Sequence, residues 1–457
     1  MENLINVELA TFTEAHPIDL SSYAAKYCYS SVPPVWGSHM NVESDLFKPG
    51  HHTTLEHSYF TFAIEGIAIS NVKLGIHLDH PFYNSDERSG RYCSKMFLEP
   101  NIPRLENYIK YYWPGVDSKT IAEVMEYLQI GLDVYRNNIS RATEFTKKFI
   151  PEERPFISEE SLAKNSPKIA MEQLRVFLPM LLPTGMAHTI DLITLVSLYY
   201  SAWDPVMRDV TAKMAALVLE KYPEISFAFD PSKRNKTDWA PKLLQEKTEI
   251  FYRPKLELLE IAGANEFILP KNKDKHPVDL LQFKPEYMDN NFNGIKTEIE
   301  CSMANMGDDQ RHRTIRRSEP ALTGNFYFYP IVKELKLEKE AIRYFDLWKK
   351  LAKKIPATLA SAILPYGAMA KYKKNISFNA LAHEMQKRLC WAAHSEIYFL
   401  GKTLREKIAQ TEGADSPILK IMEPSCYAEG ICGEGGRYCG RDIKLRNTGD
   451  YFPERKI

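Results

Sequence analysis

The chain has 457 residues, 44% of them hydrophobic and 26% charged, the proportions of a globular protein long enough for two cores. Lys plus Arg and Asp plus Glu balance at 59 each, so no overall field recruits nucleic acid or an anionic membrane, and any anionic ligand must be held by local arginines. No apolar run approaches the ~20 residues that span a bilayer. The N-terminal MENLINVELATFTEAHP has acids where a secretion signal needs bases, so a cytoplasmic protein with neither nucleic acid nor membrane as partner is expected.

In chain order, SYFTFAIEGIAI has the aromatic and β-branched content of a strand and leads through NVKLGIHL into a polar loop. SKTIAEVMEYLQIGLDVYRNNISRATEF follows with apolar residues at helical spacing, then RVFLPMLLPTG, then the helix-like DLITLVSLYYSAWDPVMRDVTAKMAALVLEKYP. The polar, Pro-containing DPSKRNKTDWAPK reads as a linker, giving expected domains at residues 1–235 and 236–457. In the second half, IKTEIECSMANMGDDQ reads as a helix, and EKEAIRYFDLWKKLAKKI precedes ASAILPYGA and the helical NALAHEMQKRLCWAAHSEIYFLGKTLREKI. Each half thus runs polar loop, helix, short Leu-Pro segment, helix, an order that points to internal duplication.

The two polar loops carry the chemistry. Residues 79–92 read DHPFYNSDERSGRY and residues 311–324 read RHRTIRRSEPALTG. Ser89, Gly90 and Arg91 combine a hydroxyl, a residue permitting close backbone approach and a guanidinium, a composition suited to phosphate, although SGRY alone reads as a solvated turn. Arg311-His312-Arg313 alone reads as a basic helix end. Upstream, GHHTTLEHSYFTF clusters His51, Thr53, Glu56 and His57 before the strand; its order is not that of a helical zinc motif, and a surface turn would account for it equally.

Together these segments resemble the flavin-dependent thymidylate synthases, whose pattern is R-H-R-x-x-S-x-N-E-x-S-x-R-Y. The first loop is similar to its back half through Glu87, Ser89, Arg91 and Tyr92, with Asp79-His80-Pro81 replacing the leading triplet. The second is similar to its front half through Arg311, His312, Arg313 and Glu319, with Ala321 and Thr323-Gly324 where the serine and Arg-Tyr belong. GHHTTLEHSYFTF resembles the family's G-H-x-T-x-x-E-H-x-x-F-T-F, RVFLP its R-x-x-L-P at Arg175, and KRLCWAAHSEI its L-R-x-x-x-x-A-Q-x-E-I at Arg388. In the second half Ser361 takes the place of Arg175, and His276 is the candidate counterpart of His51. The losses alternate between halves, which suggests one composite active site.

The resemblance implies an α/β (α+β) fold of two tandem domains, each an antiparallel sheet packed with helices, and a homodimer equivalent to the family's tetramer of single domains. It implies methylation of dUMP at C5, with methylenetetrahydrofolate as carbon donor and NADPH reducing FAD. His51 would then be catalytic, Thr53, Glu56, Arg311, His312 and Arg313 would bind FAD, and Glu87, Ser89, Gly90, Arg91, Arg175 and Arg388 would bind the nucleotide. Another uridine nucleotide such as UMP, or a non-catalytic flavin- or nucleotide-binding relative, remain alternatives.

Seven cysteines are too sparse for a disulfide framework. Cys28, Cys93, Cys301 and Cys390 are scattered, whereas Cys426, Cys432 and Cys439 crowd the Gly-rich CYAEGICGEGGRYCG. Their gaps exceed those of paired zinc ligands and no fourth ligand is adjacent, so the tail reads as structural, with no metal, ahead of a metal or redox role. Some members of the resembled family end in a similar tail.

Overall fold

The computed structural model describes residues 4–78, 83–88, 90, 93, 95–267, 292–430, 432–435, 438–441 and 452–457. The fold is α/β of the α+β kind, with largely antiparallel sheets covered by helices. The chain divides into two compact units, each assembled from separated stretches: the first from Met1–Met125, Met180–Ala240 and Ala352–Ile363, the second from Glu126–Pro179, Pro241–Leu351 and Leu364–Ile457. Both units therefore draw on sequence from either side of residue 235.

The first unit holds β1 (Asn6–Phe12), β2 (Tyr59–Ala68), β3 (Tyr83–Glu87) and β4 (Pro183–Asp191) in the order β1-β2-β4-β3, all antiparallel. The period-two alternation of β2 buries Phe60, Phe62 and Ile64, as a strand with one face in the core must. Its register slips between Glu65 and Ile67, where Gly66 has φ 85° and a Cβ would stand 2.6 Å from the Leu4 carbonyl oxygen. Only glycine fits that bulge.

The second unit's sheet runs β5-β9-β10-β7-β6, with β8 also paired to β10. Its strands are β5 (Ile250–Phe251), β6 (Lys255–Ala262), β7 (Gly294–Ser302), β8 (Arg316–Arg317), β9 (Ala321–Tyr327) and β10 (Ala368–Ser377), antiparallel except for the parallel pair β5–β9. Each sheet thus contains four strands in the spatial order first, second, fourth, third. Each fourth strand also ends in a capped helix: Asp191 accepts from Thr194 N ahead of Leu192–Ser201, and Ser377 accepts from Ala380 N ahead of Phe378–Arg388.

The segment IKTEIECSMANMGDDQ, expected as one helix, is β7 followed by the helix Met303–Asp309. Ile295, Thr297, Ile299 and Cys301 are buried at every second position, a strand period masked by the intervening charges. Both long helical stretches after the Leu-Pro segments break in two. Asp204 caps Val206 and Met207 N with Pro205 in the first turn, and the helices Phe378–Arg388 and Ser395–Glu412 are separate. A helix at Glu159–Leu174 was not expected; it carries Pro167 in its interior. Among the described residues no helix is long and apolar enough to cross a membrane.

Candidate functional site

The second unit gathers a buried charged cluster around the C-terminus of the helix Met303–Asp309. Ser302 caps this helix, its Oγ accepting from Asn305 N at 3.1 Å, so that Asp308 and Asp309 emerge side by side at the far end. Arg175 Nη2 donates to Asp308 Oδ2 at 3.3 Å, and its guanidinium lies 5.8 Å from the Tyr366 ring centre. His394 Nε2 stands 2.8 Å from the same carboxylate oxygen, and Arg311 Nε is 3.9 Å from the other. Arg388 reaches the backbone, Nη2 donating to the Asp308 carbonyl at 2.5 Å, while its Nε donates to His312 Nε2 at 2.8 Å. Arg175 and Arg388, far apart in sequence, meet on one aspartate.

Asp309 anchors a second layer. It accepts from Arg317 Nε at 2.5 Å, Lys374 Nζ at 2.6 Å and Tyr372 Oη at 3.0 Å, and Lys374 also donates to Glu384. Arg317 in turn donates to the carbonyls of His312 and Ile315 at 3.1 and 2.9 Å. This fixes the backbone of the loop that carries Arg311, His312 and Arg313.

The charge states follow from this packing. Burial opposes ionisation of Asp308, but His394, Arg175 and Arg311 hold its carboxyl well below the usual range. Burial likewise opposes Asp309, and Arg317 and Lys374 hold it well below. Burial, reinforced by Arg388, keeps His312 well below the ordinary imidazole value, consistent with an Nε2 lone pair that accepts from arginine. His312 is 5% exposed with its ring 5.2 Å from His383. Its side chain therefore faces the interior and orients Arg388, whereas Arg311 is 62% exposed.

Glu396 extends the cluster inward, accepting from Ser302 N and Oγ at 2.6 and 2.5 Å and from Tyr329 Oη at 3.3 Å. Burial pushes its carboxyl up to about 7, the Ser302 donors resisting the rise. A carboxyl whose folded pKa exceeds its unfolded value contributes stability that is fully present below about pH 4.3 and lost as pH rises through the folded value. We expect Glu396 to lower the chain's stability by roughly 3 kcal/mol as pH rises from about 4.3 to 7, a downward slope that His312, depressed in the fold, opposes as pH rises toward 6.5. Glu396→Gln should flatten that slope in a pH series of melting curves; an unchanged slope would refute the assignment.

The first unit carries the other candidates. His51, Thr53 and Glu56 lie at or in the short helix His52–His57, all exposed, with Leu55 buried beneath as its anchor. Glu87 ends β3 opposite Met186, and the chain continues with Arg88 N donating to the Gly185 carbonyl at 2.9 Å. A Cβ on Gly90 would stand 2.3 Å from the Phe97 ring. Ser89, Arg91, Tyr92 and His276 lie outside the described residues, as does the triplet Asp79-His80-Pro81.

The structure thus brings Arg175, Arg311, His312 and Arg388 together in one unit and groups His51, Thr53 and Glu56 in the other. Sequence reasoning missed Asp308, His394 and Glu396. A signal existed for the last two, since KRLCWAAHSEI aligns Glu396 with the family's Glu and His394 with its Gln.

Residues 9–224, just under half of the chain, match the family model described as Thymidylate synthase complementing protein. Among solved structures, Thymidylate Synthase X from Helicobacter pylori with FAD and dUMP is 20% identical over 50% of this chain and 100% of that chain, with a TM-score of 0.32. A UMP/dUMP methylase, PolB, from Streptomyces cacaoi bound with 5-Br UMP is 17% identical over 49% of this chain and 93% of that chain, with a TM-score of 0.33. No curated protein matches the chain.

Proposed function

We propose that the chain is a flavin-dependent thymidylate synthase in which two family domains, residues 1–235 and 236–457, stand in tandem. The match of residues 9–224 to the family model supports this for the first half. The shared strand order and the capped helix after each fourth strand support it for the second. The reaction is methylation of dUMP at C5, with methylenetetrahydrofolate as carbon donor and NADPH as reductant, by a cytoplasmic homodimer. The observation that carries the reading is the meeting of Arg175 and Arg388 at Asp308. Two guanidinium forks held in fixed directions suit the phosphate and pyrimidine edge of a nucleotide.

FAD suits the neighbouring residues. Arg311 keeps its guanidinium in solvent reach and only 3.9 Å from its nearest acid, so it is available to a pyrophosphate, with Arg313 beside it in the loop. His312 belongs to the same loop and acts by steadying Arg388. Thr53 and Glu56, exposed polar groups of the first unit, are the further cofactor residues that the resemblance implies, and His51 the catalytic one. FAD, when bound, supplies the hydride chemistry; the chain's residues bind and orient. Glu87, Ser89, Gly90 and Arg91 are the nucleotide residues that the resemblance implies in the first half, and no cysteine nucleophile is involved.

A second reading has one observation behind it. The Asp308 carboxylate stands among Arg175, Arg311 and His394, where it neutralises groups that a nucleotide phosphate would use, as in a binding relative that no longer turns over. Tritium release from dUMP and UMP labelled at C5, with NADPH and methylenetetrahydrofolate, separates the readings. We expect folate-dependent release from dUMP. Release from UMP alone would reassign the substrate, and flavin binding without release would favour the second reading.

A further inference from the structure

Four cysteines from distant stretches converge in the second unit. Cys390 follows the helix Phe378–Arg388, Cys426 lies in the short helix Ser425–Glu429, and Cys432 and Cys439 belong to the Gly-rich loop beyond it. All four line one cavity of about 20 Å³, together with Trp391, Glu434 and Arg441. The fourth thiol that the spacing of the tail withholds is therefore supplied by the fold. Gly440, with φ 83°, sets the close approach that follows Cys439, since a Cβ there would stand 2.7 Å from Ile157.

The surroundings carry an unusual charge. Arg154, Arg441 and Arg455 are 6%, 5% and 2% exposed. Arg441 and Arg455 lie over the Trp391 ring at 4.4 and 4.8 Å. Arg154 Nε has no hydrogen-bond partner among the described residues. Buried Glu153 faces these cations, Arg455 donates to the Ile457, Ala393 and Trp391 carbonyl oxygens and Arg441 to that of Glu153; Glu434 is matched by Lys387 at 3.6 Å. Negative charge nearby would favour these buried guanidiniums. Four thiolates around one divalent cation carry two net negative charges and so suit this surround. Ala392 N donates to Cys390 Sγ at 3.5 Å.

We propose that Cys390, Cys426, Cys432 and Cys439 bind a single zinc ion as a tetrahedral tetrathiolate that staples the C-terminal tail to the second unit. The set is soft and four-coordinate, the pattern of closed structural zinc sites. The cavity has the volume of about one small ion or water, too small for an iron–sulfur cluster. Among the described residues no three His, Cys, Asp or Glu side chains stand at gripping distance as they lie. Ligation therefore includes rotation of the thiols between staggered rotamers. The site goes beyond the sequence expectation of a structural, metal-free tail and is independent of the proposed catalytic reading.

The test uses the full chain, purified with zinc in the growth medium, dialysed against EDTA and assayed for metal by elemental analysis. We expect one zinc per chain, with iron absent. Cys432→Ser and Cys439→Ser, both in the loop and so least apt to disturb folding, should each lower retained zinc by at least about tenfold, while Cys28→Ser, exposed in the first unit, should not. Cobalt(II) refilling of the stripped wild-type chain should give the intense visible bands of a tetrahedral tetrathiolate. Metal-free protein with free thiols or disulfides, an iron–sulfide chromophore, or zinc retained in both loop variants would each overturn the proposal.

Discussion

Arg175→Ala and Arg388→Ala should each weaken dUMP binding by roughly 10- to 150-fold, the equivalent of the ~1.5–3 kcal/mol of a hydrogen bond to a charged group. Isothermal titration on flavin-loaded protein measures it. Because both arginines meet at Asp308, the double substitution should cost less than the two single losses together. Arg175→Ala also strips a cation from a half-buried carboxylate, so a stability effect must be separated from a binding effect. Adding Asp308→Asn to Arg175→Ala should recover the melting temperature while leaving dUMP affinity low. Undiminished affinity in both single variants would remove the cluster from the nucleotide site.

Lys374→Met should destabilise the second unit by about 3–5 kcal/mol, the cost of leaving buried charges without their partner. Lys374 is 6% exposed and stands between Asp309 and Glu384. Methionine preserves the volume of the stem, so the loss reports the charge and not a cavity. Glu384→Gln in the same chain should restore part of the stability, because one of the two stranded carboxylates is then neutral. Denaturant midpoints of the three variants decide this. An equal midpoint for wild type and Lys374→Met would mean that the network is not held by its lysine. Since Arg317 on Asp309 also clamps the His312 and Ile315 carbonyls, flavin affinity should fall in the same variant.

Residue patterns disclosed the elements whose period was clean. β2 alternates aromatic and small residues, and the helix Ser118–Glu153 repeats its apolar positions over 36 residues. β7 was hidden because Lys296 and Glu298 sit between its buried positions and mimic a charged helix face, although β6 and β10 flank it on either side. The break between Arg388 and Ser395 was invisible to periodicity, yet it is what turns both Arg388 and His394 toward Asp308. Motif matching named Arg175 and Arg388 because each stands in a short string. It could not name Asp308, whose role exists only once residues from two distant stretches have been folded onto it. Cys390 is the same case, an unremarkable thiol in sequence that only the fold sets beside the tail.

The order in which the chain is made has a consequence for the first unit. Its third piece, Ala352–Ile363, supplies Thr358, whose Oγ1 accepts from buried Trp113 Nε1 at 2.9 Å, and Lys354, which pairs with Glu123 at 2.6 Å. Everything from Pro241 to Leu351 must leave the ribosome before those contacts can close. At typical elongation rates of about 5–20 residues per second this is a delay of roughly 6–20 s, during which the nascent N-terminal part exposes Trp113 and the surface around it. Translation speed across this stretch, and any chaperone that shields the exposed seam, would therefore govern the yield of native protein as directly as the final stability does.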